Sequence, residues 1–254
     1  MTLLQINHVS QNVGVNLPLN LILPDDYEAQ PLEQCKVLYL LHGLSDDASA
    51  WQRYSNIEII AREKRLVVVM PTAGRSFYAD MANGQKYFTY LTEELPAWLA
   101  ATFRISQLRE NTLIAGLSMG GYGAFKAAFL RPDLYYAACS LSGVLAINAL
   151  ASPSDKIEDK KLMHEFDMIF GGLEKLPGSM HDPMVWLRQA AGSGVKLPAL
   201  TAFCGLEDDL LPLNRLFNQA AGSMGIDLQY EESPGGHDWW FWGEHIKRWL
   251  DEVV

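Results

Sequence analysis

The fold of this chain is decided by residues 111–131, which read Asn111-Thr-Leu-Ile-Ala-Gly-Leu-Ser-Met-Gly-Gly-Tyr-Gly-Ala-Phe-Lys-Ala-Ala-Phe-Leu-Arg131. An apolar run ends at Gly116, and an Ala- and Phe-rich segment follows Ser118 as far as Pro132. This order predicts a strand, a sharp turn and a helix, with one serine at the apex of the turn. Gly116-x-Ser118-x-Gly120 matches the G-x-S-x-G pattern of a nucleophile elbow.

Two glycines flank the serine because the turn is tight. Side chains at Gly116 and Gly120 would collide with the neighbouring strand and helix, and Ser118 itself is expected in a strained conformation. The helix after Ser118 directs its N-terminus at the place where negative charge would develop. Short matches of this kind also occur by chance. A true elbow further requires an acid and then a histidine, both C-terminal to Ser118.

The composition of the chain limits its class. With 254 residues, 49% hydrophobic and 20% charged, it suits one large α/β domain or two small ones. A net charge of −10 argues against nucleic acid and against anionic membrane surfaces as partners. The three cysteines lie in or beside apolar runs and predict buried free thiols. Residues 1–5 have no signal-peptide pattern, and no apolar stretch is long enough to span a membrane, so a cytoplasmic protein is expected.

Apolar runs and helical patterns alternate along the chain. Residues 3–23 predict an antiparallel hairpin at a sheet edge. Buried strands are predicted at 37–41 and 66–70, further strands at 113–115, 135–141, 198–204 and 228–232, and helices at 54–65, 92–103, 213–224 and 241–253. Residues 144–195 mix charges and aromatics without a strand pattern, which indicates a mostly helical cap. The prediction is one domain over 1–254 with a mostly parallel sheet, helices on both faces and a cap insertion at 144–195.

The acid that the elbow requires is predicted after the strand at 198–204. Glu207, Asp208 and Asp209 stand there, where parallel sheets form their sites. Asp208 is the first candidate because it closes the turn Gly205-x-x-Asp208, and Asp209 is the reserve. Acids also cap helices at such positions, which is the structural alternative.

The histidine is predicted to be His237. It follows the last strand in Gly235-Gly236-His237-Asp238, whereas His245 falls inside the final helix, where a packing role is expected. The chain order Ser118, Asp208, His237 is that of the α/β-hydrolase fold. In this arrangement His237 is the general base, Ser118 is the nucleophile and Asp208 orients the imidazole.

An oxyanion hole would complete such a site. One donor is predicted to be the backbone N–H of Met119, directly after the nucleophile. The second is predicted to be the Leu44 N–H in the loop His42-Gly43-Leu44, which follows the strand at 37–41. His42 precedes Ser118 and is interpreted as a brace for this loop.

Aromatic residues stand beside both loops. Trp51 and Trp239 are candidates for a substrate pocket or for core packing. The remaining histidines are scattered, so no metal site is predicted, and the pattern around Ser118 lacks the features of a phosphate-binding loop, so no cofactor is predicted.

Six motifs together resemble one family. They are residues 40–47 (Leu-Leu-His-Gly-Leu-Ser-Asp-Asp), 68–71 (Val-Val-Met-Pro), 90–96 (Tyr-Leu-Thr-Glu-Glu-Leu-Pro), 115–123 (Ala-Gly-Leu-Ser-Met-Gly-Gly-Tyr-Gly), 204–208 (Cys-Gly-x-Glu-Asp) and 236–239 (Gly-His-x-Trp). In these motifs the chain resembles the bacterial tributyrin esterases, within the esterase D and S-formylglutathione hydrolase group. The N-terminal hairpin carries no motif that matches.

The resemblance implies a serine carboxylesterase for short-chain acyl esters. It implies a triad of Ser118, Asp208 and His237, and it favours Asp208 over Asp209, since Asp208 takes the family's Gly-x-Glu-Asp position. A thioester hydrolase acting on S-formylglutathione is the alternative, and a non-catalytic binding protein of the same fold is a third hypothesis. A small-molecule acyl ester is the expected partner, and a homo-oligomer is left open.

Overall fold

Alternating strands and helices build one eight-stranded sheet in the computed structural model, which describes residues 1–25, 31–151 and 160–254. The strands are β1 (Thr2–Val9), β2 (Asn16–Leu23), β3 (Val37–Leu41), β4 (Val67–Pro71), β5 (Thr112–Leu117), β6 (Ala137–Leu141), β7 (Ala199–Gly205) and β8 (Leu228–Ser233). Their order across the sheet is β1-β2-β4-β3-β5-β6-β7-β8.

The sheet is parallel from β4 to β8. Only β2 runs against its neighbours, pairing antiparallel with β1 on one side and with β4 on the other. The predicted antiparallel hairpin at a sheet edge and the mostly parallel sheet are both confirmed. Since the strands β3 to β8 are parallel, their carboxyl ends meet at one edge of the sheet, and the loops that carry the candidate residues leave from that edge.

Helices cover the sheet on both faces. They are α1 (Ala50–Tyr54), α2 (Ile57–Lys64), α3 (Tyr87–Thr89), α4 (Leu95–Phe103), α5 (Met119–Leu130), α6 (Lys160–Phe170), α7 (Pro183–Ser193), α8 (Leu211–Ser223) and α9 (Trp239–Val253). Short 3₁₀ turns lie at Leu32–Gln34, Arg109–Asn111, Ile147–Ala151 and Leu173–Lys175. The helices α1, α2 and α9 contribute to one apolar core, and α4 to α8 contribute to the other.

The strand β3 shows how one apolar run serves both cores. Val37, Tyr39 and Leu41 pack into the core under α5, while Leu38 and Leu40 pack into the core under α9. Successive side chains of a strand point to opposite faces of the sheet. Because helices cover both faces, all five side chains are buried. Burying one such side chain contributes roughly 1.5–3 kcal/mol, which is why a central parallel strand is an unbroken apolar run.

The helix predicted at 92–103 begins earlier than expected. Helical structure starts at Tyr87, passes through a π-helical turn at Tyr90–Glu94 and continues as α4. Pro96 has no N–H, so it cannot donate a hydrogen bond to a carbonyl one turn earlier. The π-helical turn, which is wider than an α-helical one, lies just before this proline. Glu94 is therefore inside a helix, where its carboxylate accepts the backbone N–H groups of Gln11 and Asn12 in the β1–β2 turn.

The segment predicted as a cap, 144–195, is helical where the structure describes it. It contains α6, α7 and two 3₁₀ turns, while residues 152–159 lie outside the described residues. The helix α7 packs against α5 and α8 and so joins the layer that covers the sheet. The extent of the cap stays a prediction.

The state of the cysteines and the character of the helices can also be compared with the sequence. Cys35, Cys139 and Cys204 are all buried and none is joined in a disulfide, in agreement with the prediction. None of the described helices has both the length and the apolar character needed to cross a membrane.

Candidate active site

Ser118 occupies the turn between β5 and α5 in the strained geometry expected of an elbow. Its backbone has φ 53° and ψ −116°, a conformation that L-residues rarely adopt. Its N–H donates to the carbonyl of Leu141 at 2.8 Å, which ties the turn to the end of the adjacent strand β6. The side chain remains partly exposed beside the N-terminus of α5. A hydroxyl at this place is accessible and faces the positive end of a helix dipole.

The two glycines of the elbow are required by space. A Cβ atom on Gly116 would lie 2.4 Å from the carbonyl oxygen of Gly120. A Cβ atom on Gly120 would lie 2.5 Å from the carbonyl oxygen of Leu41 and 2.7 Å from that of His42. Each contact is with backbone, which cannot rotate away, so the crossing of α5 over β3 depends on the absence of both side chains.

The candidate acid and base are in contact. Nδ1 of His237 lies 2.9 Å from Oδ2 and 3.1 Å from Oδ1 of Asp208. The Asp208 side chain is fully buried, while that of His237 is 37% exposed. Asp209, the reserve candidate, is exposed. Because a carboxylate accepts from Nδ1–H, the geometry holds the imidazole in the tautomer that leaves Nε2 free to accept a proton.

The electrostatics of Asp208 favour the charged form. Burial acts to raise the pKa of this carboxyl, but side-chain hydrogen bonds from His237 and Ser142 and the Leu210 N–H together outweigh it, so the pKa lies below its ordinary value. The Leu210 N–H donates to Oδ1 at 2.8 Å. Asp208 is therefore an anion, held in place by several donors, beside the imidazole that would become positively charged.

The sheet brings the three candidate residues to one edge. Ser118 follows β5, Asp208 follows β7 and His237 follows β8, and these strands lie in the order β5-β6-β7-β8. Glu207, also predicted at this edge, accepts the backbone N–H of Gly235 and so holds the loop that carries His237.

The loop of the predicted oxyanion hole lies against the elbow. A Cβ atom on Gly43 would be 3.8 Å from Cβ of Ser118, so the backbone that carries Leu44 passes beside Ser118. Leu44 is partly exposed, and Met119, the other predicted donor, is the first residue of α5. Both predicted donors thus belong to segments adjacent to Ser118.

His42 is buried and holds the same loop. Its Nδ1 lies 2.7 Å from the carbonyl oxygen of Gly43, and its Nε2 accepts the N–H of Ala73 at 2.9 Å. Burial lowers the pKa of His42, which keeps the ring neutral, with one nitrogen donating and the other accepting. The hydroxyl of Tyr78 donates to the His42 carbonyl at 3.1 Å. His42 therefore joins the loops after β3 and β4, as its interpretation as a brace requires.

The two aromatic candidates differ in exposure. Trp51 is only 1% exposed, and its indole N–H donates to the carbonyl of Leu41 at 2.9 Å. It supports the loop from the core side, as the core-packing alternative requires, and its pocket role stays a prediction. Trp239 packs edge-to-face on Trp51 and is partly exposed, and its pocket role stays a prediction.

Several residues of the site region carried no signal in the sequence. Ser142 and Trp242 contact Asp208 and His237, and Arg75 donates to the carbonyl of Leu44 at 3.3 Å. Ser142 was recognisable only as the end of a strand. The position of β6 between β5 and β7 is the signal that could have identified Ser142 as a residue of the site region. Across residues 1–25, 31–151 and 160–254, no group of three or more His, Cys, Asp or Glu could hold a metal ion.

Comparison with known proteins places this chain in a family. The family model described as "Putative esterase" matches residues 10–251. An acetyl esterase of Caldicellulosiruptor saccharolyticus is 33% identical, over 100% of this chain and 99% of that protein. Two Staphylococcus aureus structures are each 33% identical and cover 99% of this chain and 98% of their own. One is FphF, a fluorophosphonate-binding serine hydrolase, with a TM-score of 0.88, and the other is the S-formylglutathione hydrolase FrmB, with a TM-score of 0.87.

These matches confirm the predicted α/β-hydrolase fold and the resemblance to the group that contains the S-formylglutathione hydrolases. They run through the whole sheet, the elbow and the loops after β7 and β8. The chain belongs to this esterase family and is a serine hydrolase.

Proposed function

We propose that this protein is a carboxylesterase that hydrolyses short-chain acyl esters through an acyl-enzyme on Ser118. The observation that carries the proposal is the contact of the buried Asp208 carboxylate with Nδ1 of His237, at the sheet edge where the Ser118 elbow stands. A nucleophile, a base and an orienting acid are the parts that acyl transfer requires.

The first half of the reaction forms the acyl-enzyme. Nε2 of His237 takes the proton of the Ser118 hydroxyl while the serine oxygen bonds to the ester carbonyl carbon. The electron pair of the carbonyl moves onto its oxygen, where the N–H groups of Leu44 and Met119 stabilise the charge. When the carbonyl re-forms, the bond to the alcohol oxygen breaks, and the alcohol leaves with the proton from His237.

The second half repeats these steps with water. His237 takes a proton from water, whose oxygen attacks the acyl carbon, and the proton returns to the Ser118 oxygen as the acid leaves. Asp208 accepts a hydrogen bond from the imidazole throughout and stabilises it when it is positively charged.

The short acyl preference is supported by aromatic packing near the elbow. Tyr122 lies one turn after Ser118 on α5, and its ring packs against Phe77. Phe77 in turn contacts Phe166 and Phe170 of α6, and all four side chains are buried. This packed cluster begins one turn after Ser118 and leaves little room for a long chain on that side, which favours small acyl groups. The acetyl esterase relative is consistent with that size.

Replacing the nucleophile tests the proposal. Ser118→Ala should lower kcat on p-nitrophenyl acetate and butyrate by at least about 10⁴-fold and abolish labelling by a fluorophosphonate probe, with the thermal unfolding midpoint close to that of the wild type. Ser193→Ala removes an exposed hydroxyl at the end of α7 and should change neither property. Retained hydrolysis by Ser118→Ala would exclude the mechanism.

A thioester substrate is the second candidate, because the structure of an S-formylglutathione hydrolase covers almost the whole chain. The kcat/KM values for S-formylglutathione and for p-nitrophenyl esters of two to eight carbons discriminate between them. We expect the highest value for a two- to four-carbon ester. A value for S-formylglutathione more than tenfold above every ester would favour the thioesterase.

A further inference from the structure

Ser142 directly follows β6, which lies between the proposed nucleophile strand β5 and the proposed acid strand β7, and it has a conformation that a serine seldom adopts. Its φ is 50°, in the left-handed region, and its N–H donates to the carbonyl of Phe203 in β7 at 2.8 Å. Glycine would occupy this position without steric cost. The side chain is fully buried, so its hydroxyl needs partners inside the protein.

The hydroxyl has a partner on each side. The indole N–H of Trp242, on α9, donates to Oγ of Ser142 at 3.0 Å. A side-chain hydrogen bond joins Ser142 to the Asp208 carboxylate. Since a carboxylate only accepts and the indole only donates, the hydroxyl must accept from Trp242 and donate to Asp208. The direction of the serine proton is thus set by the tryptophan.

Trp242 also contacts the base. Its ring meets the imidazole of His237 edge-to-face, with a centroid distance of 4.9 Å and an interplanar angle of 90°. Trp242 is 5% exposed and packs in the core under α9, which leaves its indole little freedom to move. One rigid side chain therefore touches His237 directly and reaches Asp208 through Ser142.

We propose that Ser142 and Trp242 are positioning residues that fix the Asp208 carboxylate and the His237 ring relative to each other. Asp208 then has three donors, from His237, Ser142 and the Leu210 N–H, which determine the plane of its carboxylate. This role rests on the proposed triad. Ser142 and Trp242 act through Asp208 and His237 and do not contact the substrate.

The first test compares two variants with the wild type by their pH–rate profiles. Ser142→Ala should lower kcat on p-nitrophenyl acetate about tenfold with KM within twofold of the wild type. A carboxylate that has lost a donor holds the imidazolium more tightly, so the acidic limb of kcat/KM should move up by roughly half a pH unit. Trp242→Phe retains a ring beside His237 but loses the indole N–H. It should move the acidic limb of kcat/KM to higher pH by a smaller amount than Ser142→Ala does.

Two controls separate the hydroxyl from folding. Ser142→Gly also lacks the hydroxyl but relieves the backbone at φ 50°, so it should show the same rate loss while unfolding at a temperature at or above that of Ser142→Ala. Ser140→Ala removes a buried hydroxyl that lies in β6, two residues before Ser142, and has no hydrogen-bond partner, so kcat and the acidic limb should stay unchanged. Rate losses that follow the unfolding temperature, or an acidic limb that stays in place in both Ser142 variants, would overturn the proposal.

A further readout is independent of ester hydrolysis. The proton between Nδ1 of His237 and Asp208 gives a downfield ¹H resonance, which Ser142→Ala should move and Ser140→Ala should not. If the wild type hydrolysed no ester, the proposed function would fail while this measurement still decided the role of Ser142. An unmoved resonance in Ser142→Ala would overturn the positioning role even in an active esterase.

Discussion

The side-chain nitrogen of Lys126 lies 3.0 Å from Nδ1 of His181, inside the protein and two turns along α5 from Ser118. Lys126 has no exposed surface, and its nitrogen also donates to the carbonyl of Tyr78 at 3.4 Å. Burial lowers the pKa of Lys126 to about 7. Burial, together with the charge of Lys126, lowers the pKa of His181 to about 3. This contact connects α5 to the segment before α7.

Lys126→Met should change how stability depends on pH. The folded pKa of Lys126 lies below the ordinary value of 10.5, so between about pH 7 and 10.5 the unfolded chain binds more protons than the folded one. The free energy of unfolding therefore gains a contribution from Lys126 that rises with pH across this window. In Lys126→Met the free energy of unfolding lacks this contribution. The stability of the variant relative to the wild type should fall steadily from pH 7 to pH 10 in urea titrations.

Lys247→Met is the matched control, because Lys247 is half exposed and pairs with Asp251 on the surface of α9. Its stability relative to the wild type should change little from pH 7 to pH 9. A relative stability of Lys126→Met that is constant over the same range would show that Lys126 remains charged in the folded protein.

Asp208→Asn should lower kcat by about 10³–10⁴-fold, whereas Asp209→Asn should stay within about twofold of the wild type. An amide can donate to Nδ1 and so favour the tautomer whose Nε2 cannot accept the serine proton, and it cannot stabilise an imidazolium. Asp209 is exposed and lies outside the contact between Asp208 and His237. Initial rates on p-nitrophenyl acetate at pH 7.5 decide between the two residues, and the reverse order would move the acid to Asp209.

Arg75 should couple the cap to the predicted oxyanion loop. Its guanidinium binds both carboxylate oxygens of Glu165 on α6, at 2.7 and 2.8 Å, and also donates to the Leu44 carbonyl. Because this ion pair is partly exposed, its contribution to stability is expected below about 1 kcal/mol. Arg75→Met and Glu165→Gln should each lower kcat about two- to fivefold, and the double variant should lose no more than either alone.

The control for this cycle is Arg248→Met. Arg248 binds the carboxylate of Glu231 in the same two-pronged manner, but it joins α9 to β8 away from Leu44. A loss of kcat in Arg248→Met equal to that in Arg75→Met would mean that general loosening, and not the contact with Leu44, causes the effect.

Gly120→Ala should destabilise the fold and impair catalysis together. The new methyl group would meet the carbonyl oxygens of Leu41 and His42 at 2.5 and 2.7 Å, so either α5 or the predicted oxyanion loop must shift. We expect a loss of about 1–3 kcal/mol in the free energy of unfolding and at least a tenfold loss of kcat at a temperature where the variant is folded. Urea unfolding and steady-state rates measure the two effects.

Gly222→Ala provides the comparison, because a Cβ atom there meets no atom within 4 Å on α8. Alanine is the better helix former, so this variant should be as stable as the wild type or more stable, by up to about 1 kcal/mol. Equal behaviour of the two alanine variants would contradict the close approach of α5 and β3.

The sequence by itself determined the strands, the elbow and the chain order of its candidate partners. Buried parallel strands are continuous apolar runs, and a G-x-S-x-G turn between a strand and a helix is a local pattern, so both can be recognised without knowing any distant contact. The position of Asp208 and His237 after successive strands followed from the rule that sites form at the carboxyl ends of parallel strands. The helix around Pro96 was predicted with a wrong start, because its π-helical turn has no distinct apolar period.

Only the tertiary structure decided which side chains face one another across those loops. Trp51 and Trp239 were equivalent in the sequence, yet the turn after β3 buries Trp51 against Leu41 and leaves Trp239 partly exposed. Ser142 and Trp242 are 100 residues apart, and their hydrogen bond exists because β6 lies next to β7 and α9 packs beneath both. Residue periodicity records which face of an element is buried. It does not identify the residue that a buried side chain contacts, because that contact depends on the order of the strands across the sheet and on how the helices pack on it.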